Sequence, residues 1–353
     1  MNDCNTPSVG YADSSLGEGA LQERMVNMEL LKKITEAFGP SGREDEVREL
    51  IKSEIEPYVD EITVDNMGNL ICRKKGNGKK LMMAAHMDEI GIMVTHIDKN
   101  GFVRFAAVGG VYPYNCIHRA VRFENGVEGV ISGEGKTAMR DWTLDKMFVD
   151  IGAESYEEAS KMVKIGDMAT FNGRFAVMGK KVTGKTMDDR VACYALLEAV
   201  KRIEKCPNDF YAVFTTQEEL GLRGAKVAAA VVEPDMAIAV DVSSVGDTPE
   251  SNVIDLTLGK GPSVKIRDAS YIISPKARDF MIKCANEAGI PYQLEAASFG
   301  GTDTGAIMLT GTGVPAATTS IPTRYIHSPQ ETVHMDDVEN EIKFIKKMIE
   351  TEI

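Results

Sequence analysis

Apolar residues recur at helical spacing near the start of the chain, then give way to continuous and alternating apolar runs. That change of period predicts an α/β protein. Leu31, Ile34 and Phe38 mark one helix, "GPSG" breaks it, and Val47, Leu50, Ile51 and Ile55 mark a second. "SGRE", Ser41 to Glu44, has the Ser-x-x-Glu form of a capping box and predicts where the second helix starts. "EITVDNMGNLICRK" and "KKLMMAAHMDEIGIMVTHI" then read as strands. Between about Ile92 and Val182, closely spaced glycines punctuate short β-branched and aromatic runs, with "SYEEASKMV" the single helical stretch. This predicts a small β-rich barrel or sandwich.

After Thr183 the alternation resumes, with helices over 190–203, around 222–230 and over 275–288, and strands over 210–214, 236–240 and 315–320. A final helix carries the stripe Val338, Ile342, Ile345 and Ile349, with Asp336 or Asp337 available as its cap. The expected architecture is an α/β/α sandwich with a mixed sheet, built from residues 25–91 and 183–353. A β-rich insert over 92–182 interrupts it, and a loose polar tail over 1–24 precedes it.

Composition narrows the function. A chain of 353 residues with 43% hydrophobic content can bury more than one core. Its 53 acidic against 40 basic residues give a net charge of −13, which disfavours nucleic acid and anionic membrane surfaces as partners. The apolar runs are short of a membrane span, so a soluble protein is expected. The six cysteines contain no C-x-x-C pair and lie mostly in apolar stretches, which fits reduced core thiols in the cytoplasm.

Five places then put potential metal ligands just past a strand or at a helix start. They are His86 with Asp88, the pair Asp188–Asp189, the pair Glu218–Glu219 after "FYAVF", Asp241 ending "MAIAV", and His327 in "RYIHSP". Taken singly, each has an ordinary explanation: a helix cap, a turn, a solvated helix start or a hydrogen-bonded imidazole. His96, His118 and His334 are read that way. Recurrence at equivalent topological places argues for a shared site, since ligands of open α/β sheets bind beyond the carboxyl ends of the strands. Two imidazoles and three carboxylates bring a charge of −3 against +4 for two divalent ions such as zinc or cobalt. The balance favours a bound hydroxide, and a carboxylate beside it that binds no metal would serve as general base. Which glutamate of the pair binds metal does not follow from spacing.

The motifs "AAHMDEIG", "MDDRVACYALLEAV", "TTQEELGLRGA", "AVDVS", "GGTDTGAI" and "RYIHSP" occur in the order seen in the tetrahedral aminopeptidases, and from about Met28 onward the chain resembles that family. The family also holds glutamyl aminopeptidases and proteins labelled "cellulase M". The resemblance implies that His86, Asp188 and Asp241 bind one metal, that Asp188 bridges to a second held by Glu219 and His327, and that Glu218 is the general base. It also implies that Asp88 orients His86 and that the Asp188–Asp189 peptide is cis. Gly300, Gly301, Thr302 and Asp303 would line the substrate pocket, and the insert would be a PDZ-like dimerisation domain. Such proteins commonly assemble as dodecamers of dimers and cleave N-terminal residues from short peptides.

Rival functions fare less well. A glycoside hydrolase needs two carboxyls on opposite sides of a sugar bond, whereas adjacent glutamates share one side, and the single tryptophan offers little for stacking sugars. A non-catalytic scaffold would be expected to lack a ligand or Glu218. A deacylase of N-acyl amino acids would carry the same metal set. Side-chain preference stays open at this stage.

Overall fold

The computed structural model describes residues 28–251 and 254–353, so the tail expected over residues 1–24 lies outside them. The strand Lys80–His86 sits inside the larger of two sheets. Its seven residues are almost wholly buried, because both of its faces are covered, and this is why it reads as an unbroken apolar run. Leu81, Met83 and Ala85 enter one core, while Met82 and Ala84 enter the other. Around it, Asp209–Thr215, Met236–Ser244 and Ala316–Arg324 form a parallel centre. Antiparallel strands extend this centre to an eleven-stranded mixed sheet, with Glu61–Val64 at one end and Ala176–Met178 at the other.

Helices cover both faces. On one side lie residues 28–36, Asp45–Ile55, Met187–Lys201, Pro275–Ala288 and Met335–Ile349, whose apolar residues share the larger core. On the other side Arg223–Val232 contributes Ala225, Ala228, Ala229 and Val232 to the smaller one. The expected α/β/α sandwich is therefore present. A second unit, the closed barrel of Gly91–Ile97, Val103–Val108, Met147–Asp150, Glu128–Gly133, Ala120–Phe123 and Met168–Phe171, has its own apolar interior.

Three local expectations are corrected. Strand Ala176–Met178 falls inside the interval read as β-rich insert and Lys181–Gly184 straddles its end, yet they join the large sheet through Glu331–His334. Their glycine-punctuated pattern matches that of the barrel strands, and only long-range pairing tells them apart. Ser41 forms no capping box: its hydroxyl donates to Asp88 Oδ2 at 2.6 Å, and Glu44 Oε1 accepts from the Gly42 and Gln217 amides at 2.7 and 3.1 Å. At the last helix the cap is His334, whose Nδ1 accepts from the Asp336 amide at 3.2 Å. Asp337 is spent on the amides of Gly259 and Gly261, at 2.6 and 2.7 Å.

The same helix buries Glu341 completely, against Thr319 Oγ1 at 2.9 Å, and burial pushes its carboxyl up to about 8 from an ordinary 4.5. The folded chain keeps a proton there that the unfolded chain gives up. This contribution to stability is whole below pH 4.5 and is lost as pH rises through 8. The slope is at most about 1.4 kcal/mol per pH unit. Glu341→Gln should narrow the gap in unfolding midpoint between pH 5 and pH 8 relative to the parent chain. An unchanged gap would contradict the assignment.

Candidate metal centre

The carboxyl ends of the parallel strands deliver the candidate residues to one place. His86 ends Lys80–His86, and Asp241 lies within Met236–Ser244. Glu218 and Glu219 follow Asp209–Thr215, His327 follows Ala316–Arg324, and Asp188 opens the helix Met187–Lys201. Asp188 stands between the two imidazoles: its Oδ1 is 3.0 Å from His86 Nε2, and its Oδ2 is 3.4 Å from His327 Nε2. Glu219 Oε1 meets His327 Nε2 at 3.1 Å. Two groups have ligand atoms mutually within 4.8 Å: His86, Asp188, Asp189 and Asp241, and Asp188, Glu219 and His327. Glu218 stays outside both, with Oε2 4.0 Å from His86 Nε2.

Asp88, fully buried, holds more than the imidazole. Its Oδ1 lies 3.4 Å from His86 Nδ1 and accepts from the Glu218 amide at 2.9 Å, while its Oδ2 accepts from the Glu219 amide at 3.1 Å. One carboxylate thus fixes both glutamates and a histidine. The Asp188–Asp189 peptide is cis. Asp189 Oδ2 accepts from the His86 amide at 3.1 Å, whereas its buried Oδ1 has no partner among the described residues.

Protonation behaviour follows from this crowding. Burial and the charge of Asp188 push Asp241 up to about 7, against the opposing His86 and Lys265. Glu218 stands well above the ordinary carboxylate range, through burial and the charges of Asp241, Asp303 and Glu219. Burial would lower His86 and His327, but hydrogen bonds to Asp188, together with Asp88 in one case and Glu219 in the other, hold both up, His327 at about 12. Protons on these imidazoles stand where divalent ions would bind, so loading the site should release them. The orphaned Asp189 oxygen and a set of imidazoles and carboxylates with two anchoring histidines fit such ions.

The centre opens into a cavity of about 550 Å³, whose walls include Tyr112, Val242, Lys265, Glu295, Phe299 and Ile326. The "GGTD" loop divides there. Gly300 and Gly301 line the cavity, but Thr302 and Asp303 turn inward. Thr302 meets Thr318 Oγ1 at 2.9 Å and Asp268 Oδ2 at 3.2 Å, and Asp303 Oδ2 accepts from Thr215 Oγ1 at 2.6 Å. Of the four residues expected at the substrate pocket, two thus face the cavity and two bond to buried partners.

Sequence reasoning also missed the support beneath the site. Glu331, four residues past His327, accepts from the His327 amide at 2.7 Å and the Asp188 amide at 2.8 Å. Glu89, next to Asp88, pairs with Lys185 Nζ at 2.7 Å and with Arg190 at 3.6 Å, while Arg190 donates to the carbonyls of Met87, Ile34 and Gly39. Acidic residues adjacent to proposed ligands were the available signal. The barrel contributes as well, through a segment over 109–116 that ends in the short helix Pro113–Cys116. Asn115 Nδ2 donates to the His327 carbonyl at 2.7 Å, and the Gly110 amide reaches Glu219 Oε2 at 3.5 Å.

Comparisons with known proteins show the family to which the chain belongs. The family model described as M42 glutamyl aminopeptidase matches residues 68–344. A protein of Acetivibrio thermocellus that bears the provisional name of aminopeptidase is 51% identical over 322 residues, covering 91% of this chain and 98% of the relative. The lysyl aminopeptidase of Pyrococcus furiosus is 38% identical, covering 92% and 97% respectively. Among solved structures, the Pyrococcus horikoshii TET1 peptidase, which can assemble into a tetrahedron or a large octahedral shell, superposes with a TM-score of 0.83 at 35% identity, covering 92% of this chain and 99% of its own.

A methyl group at Gly110 would stand 2.5 Å from His327 Nδ1, closer than such atoms approach, so the imidazole would have to move. Gly110→Ala should weaken retention of one metal ion at least tenfold in a competitive chelator titration while leaving the thermal midpoint within a few degrees. Unaltered metal retention would contradict the contact.

Proposed function

Because the chain belongs to the M42 glutamyl aminopeptidase family and is thus an aminopeptidase, a hydrolase of peptide bonds, we propose that it removes N-terminal residues from short peptides with the help of two divalent ions, zinc or cobalt. The observation that carries this reading is the position of Asp188, with one oxygen toward His86 and the other toward His327. His86, Asp188 and Asp241 would hold one ion, and Asp188, Glu219 and His327 the other. When bound, such ions polarise a carbonyl and lower the pKa of water.

The remaining steps belong to side chains. Glu218 lines the cavity, is joined to no ligand group and has a carboxyl lifted well above its usual range, which suits it to take a proton from the attacking water and return it to the leaving amine. Asp88 orients His86 and keeps the Glu218 and Glu219 backbones in register with it. The acidic wall made by Glu218, Glu219 and Asp241 would hold the substrate's α-ammonium group and so confine cleavage to chain ends. Gly300 and Gly301 leave room for substrate along one wall.

Assembly into a dodecamer built from dimers is part of the proposal. It is supported by the likeness to the TET1 peptidase and by exposed apolar side chains on the barrel, including Val130, Met139 and Ile165. The barrel, whose strands run from Gly91–Ile97 to Met168–Phe171, would bring the copies together as the dimerisation unit. Free thiols at the buried Cys72, Cys116, Cys193 and Cys284 suit the reducing cytoplasm.

Two expected outcomes test the reading. Aminoacyl chromogenic substrates should be cleaved at least a hundredfold faster than their N-acetylated forms, and comparable rates on both would refute the exopeptidase assignment. Glu218→Gln should lower turnover by about 10²–10⁴-fold with metal content intact, whereas Glu219→Gln should lower metal content itself. Metal loss from the first variant with normal loading of the second would reverse the two roles.

A further inference from the structure

The cavity over the metal centre does not end at Gly221 and Leu222. The same two residues line a second cavity of about 530 Å³, so they form a sill between the two. The opposite bank is continuous as well. The loop that carries Gly300 and Gly301 in the first cavity runs into the helix Thr304–Ile307, whose Gly305 and Ala306 line the second. Gly221 has a φ of 108°, and open space surrounds the place where a side chain would stand, so nothing blocks the crossing at that point. Two cavities thus make one cleft.

Its halves differ in charge. Asp188, Glu218, Glu219 and Asp241 line the first, whereas no lining residue of the second is acidic. The second cavity is walled by Met67, Val227 and Leu309 and carries two cations, Arg223 and Lys226, which lie three residues apart on the helix Arg223–Val232 and so share a face. Both are exposed, and neither side chain makes a hydrogen bond or ion pair among the described residues. Like charges at this spacing repel, and the first turn of a helix disfavours cations, so the two cost the helix stability rather than add to it.

The cations stand within reach of a peptide held at the metal centre. The amides of Gly221 and Leu222 both donate to the Glu218 carbonyl at 2.8 Å. That turn keeps the Glu218 and Gly221 backbones within about 7 Å, and two further residues add at most about 8 Å, so Arg223 begins within about 15 Å of Glu218. An extended peptide covers about 3.4 Å per residue. With its amino end at the acidic wall, a peptide of four or five residues crosses the sill, lays side chains on Val227 and Leu309, and ends at the cations. The carboxylate of a dipeptide stays on the acidic side.

We propose that the second cavity is the subsite for the carboxyl-terminal end of the substrate, where Arg223 and Lys226 bind its free α-carboxylate and so favour short peptides over blocked or very short ones. The inference rests on the aminopeptidase reading. A guanidinium matches the two oxygens of a carboxylate, and the neighbouring ammonium adds a second charge.

The test uses the full chain, loaded with metal, and alanine peptides that begin with whichever residue the parent releases fastest from an aminoacyl anilide. Dipeptides, tetrapeptides and pentapeptides are compared as free acids and as C-terminal amides, and kcat/KM for acid over amide is taken within each protein, so that a general loss of activity cancels. In the parent the ratio should reach about fivefold or more for the tetrapeptide or pentapeptide, show no preference for the acid in the dipeptide, and shrink as salt screens the exposed charges. In the double variant Arg223→Gln, Lys226→Gln the long-peptide ratio should fall below about twofold, with the loss in KM more than in kcat, as for contacts made equally before and during cleavage. Arg223→Gln alone should fall between. The parent series needs no variant, so the proposal stays testable even where a variant fails to fold. Equal cleavage of long acids and amides by the parent, or a double variant that keeps the parent ratio, overturns the proposal. A double variant that keeps the ratio but changes particle size in light scattering also overturns it, and assigns the groove to a second copy of the chain. These outcomes leave the aminopeptidase reading standing, whereas failure on every unblocked peptide and anilide would remove both.

Discussion

The structure depends on how it tolerates carboxylates that repel one another. Asp88, Asp188, Asp189, Glu218, Glu219, Asp241, Asp303 and Glu331 gather at the carboxyl ends of the central strands, most of them buried. Separately they would be driven to take up protons, and together more so. The chain answers in two ways. Asp88 and Glu331 spend their charge on backbone amides, and Glu89 beneath them meets Lys185 and Arg190. For Asp188, Glu219 and Asp241 the near cations are His86 and His327, and these are themselves ligand types. The residual imbalance is what divalent ions would correct, and the fold is arranged around that need.

The same constraint explains why the barrel and the sheet cannot be treated as independent. His327 adopts a left-handed backbone conformation, with φ of 61°, and is held from one side by Glu331 of the sheet and from the other by Asn115 of the barrel loop. Gly110 presses on its ring with no side chain of its own. A side chain pinned by two units ties its placement to both, so the barrel and the sheet position His327 together.

Much of this was legible in the chain. Helix Pro275–Ala288 coincides with its apolar periodicity, and the central strands were marked by continuous apolar runs because each is covered on both faces. The five candidate positions were legible because each falls just past a strand or at a helix start, where a polar residue beside an apolar run stands out. Lost were the features set by distant partners. The Ser41 hydroxyl has two uses open to it, a helix cap or Asp88, and only the folded arrangement decides. Thr302 and Asp303 look like loop residues, but their partners Thr215, Asp268 and Thr318 lie far away in sequence. Lys265 and Glu295 were indistinguishable from surface charges until two strands placed them opposite each other inside the cavity.

The central claim is that two divalent ions complete the carboxylate cluster and that Asp188 joins them. Calorimetric titration of metal-stripped protein with zinc, checked by elemental analysis of the dialysed product, measures this directly. The account predicts two ions per chain for the parent protein and a loss of affinity at both positions in Asp188→Asn, with proton release on loading. A single ion per chain, or two ions bound undiminished by the Asp188→Asn variant, would contradict it.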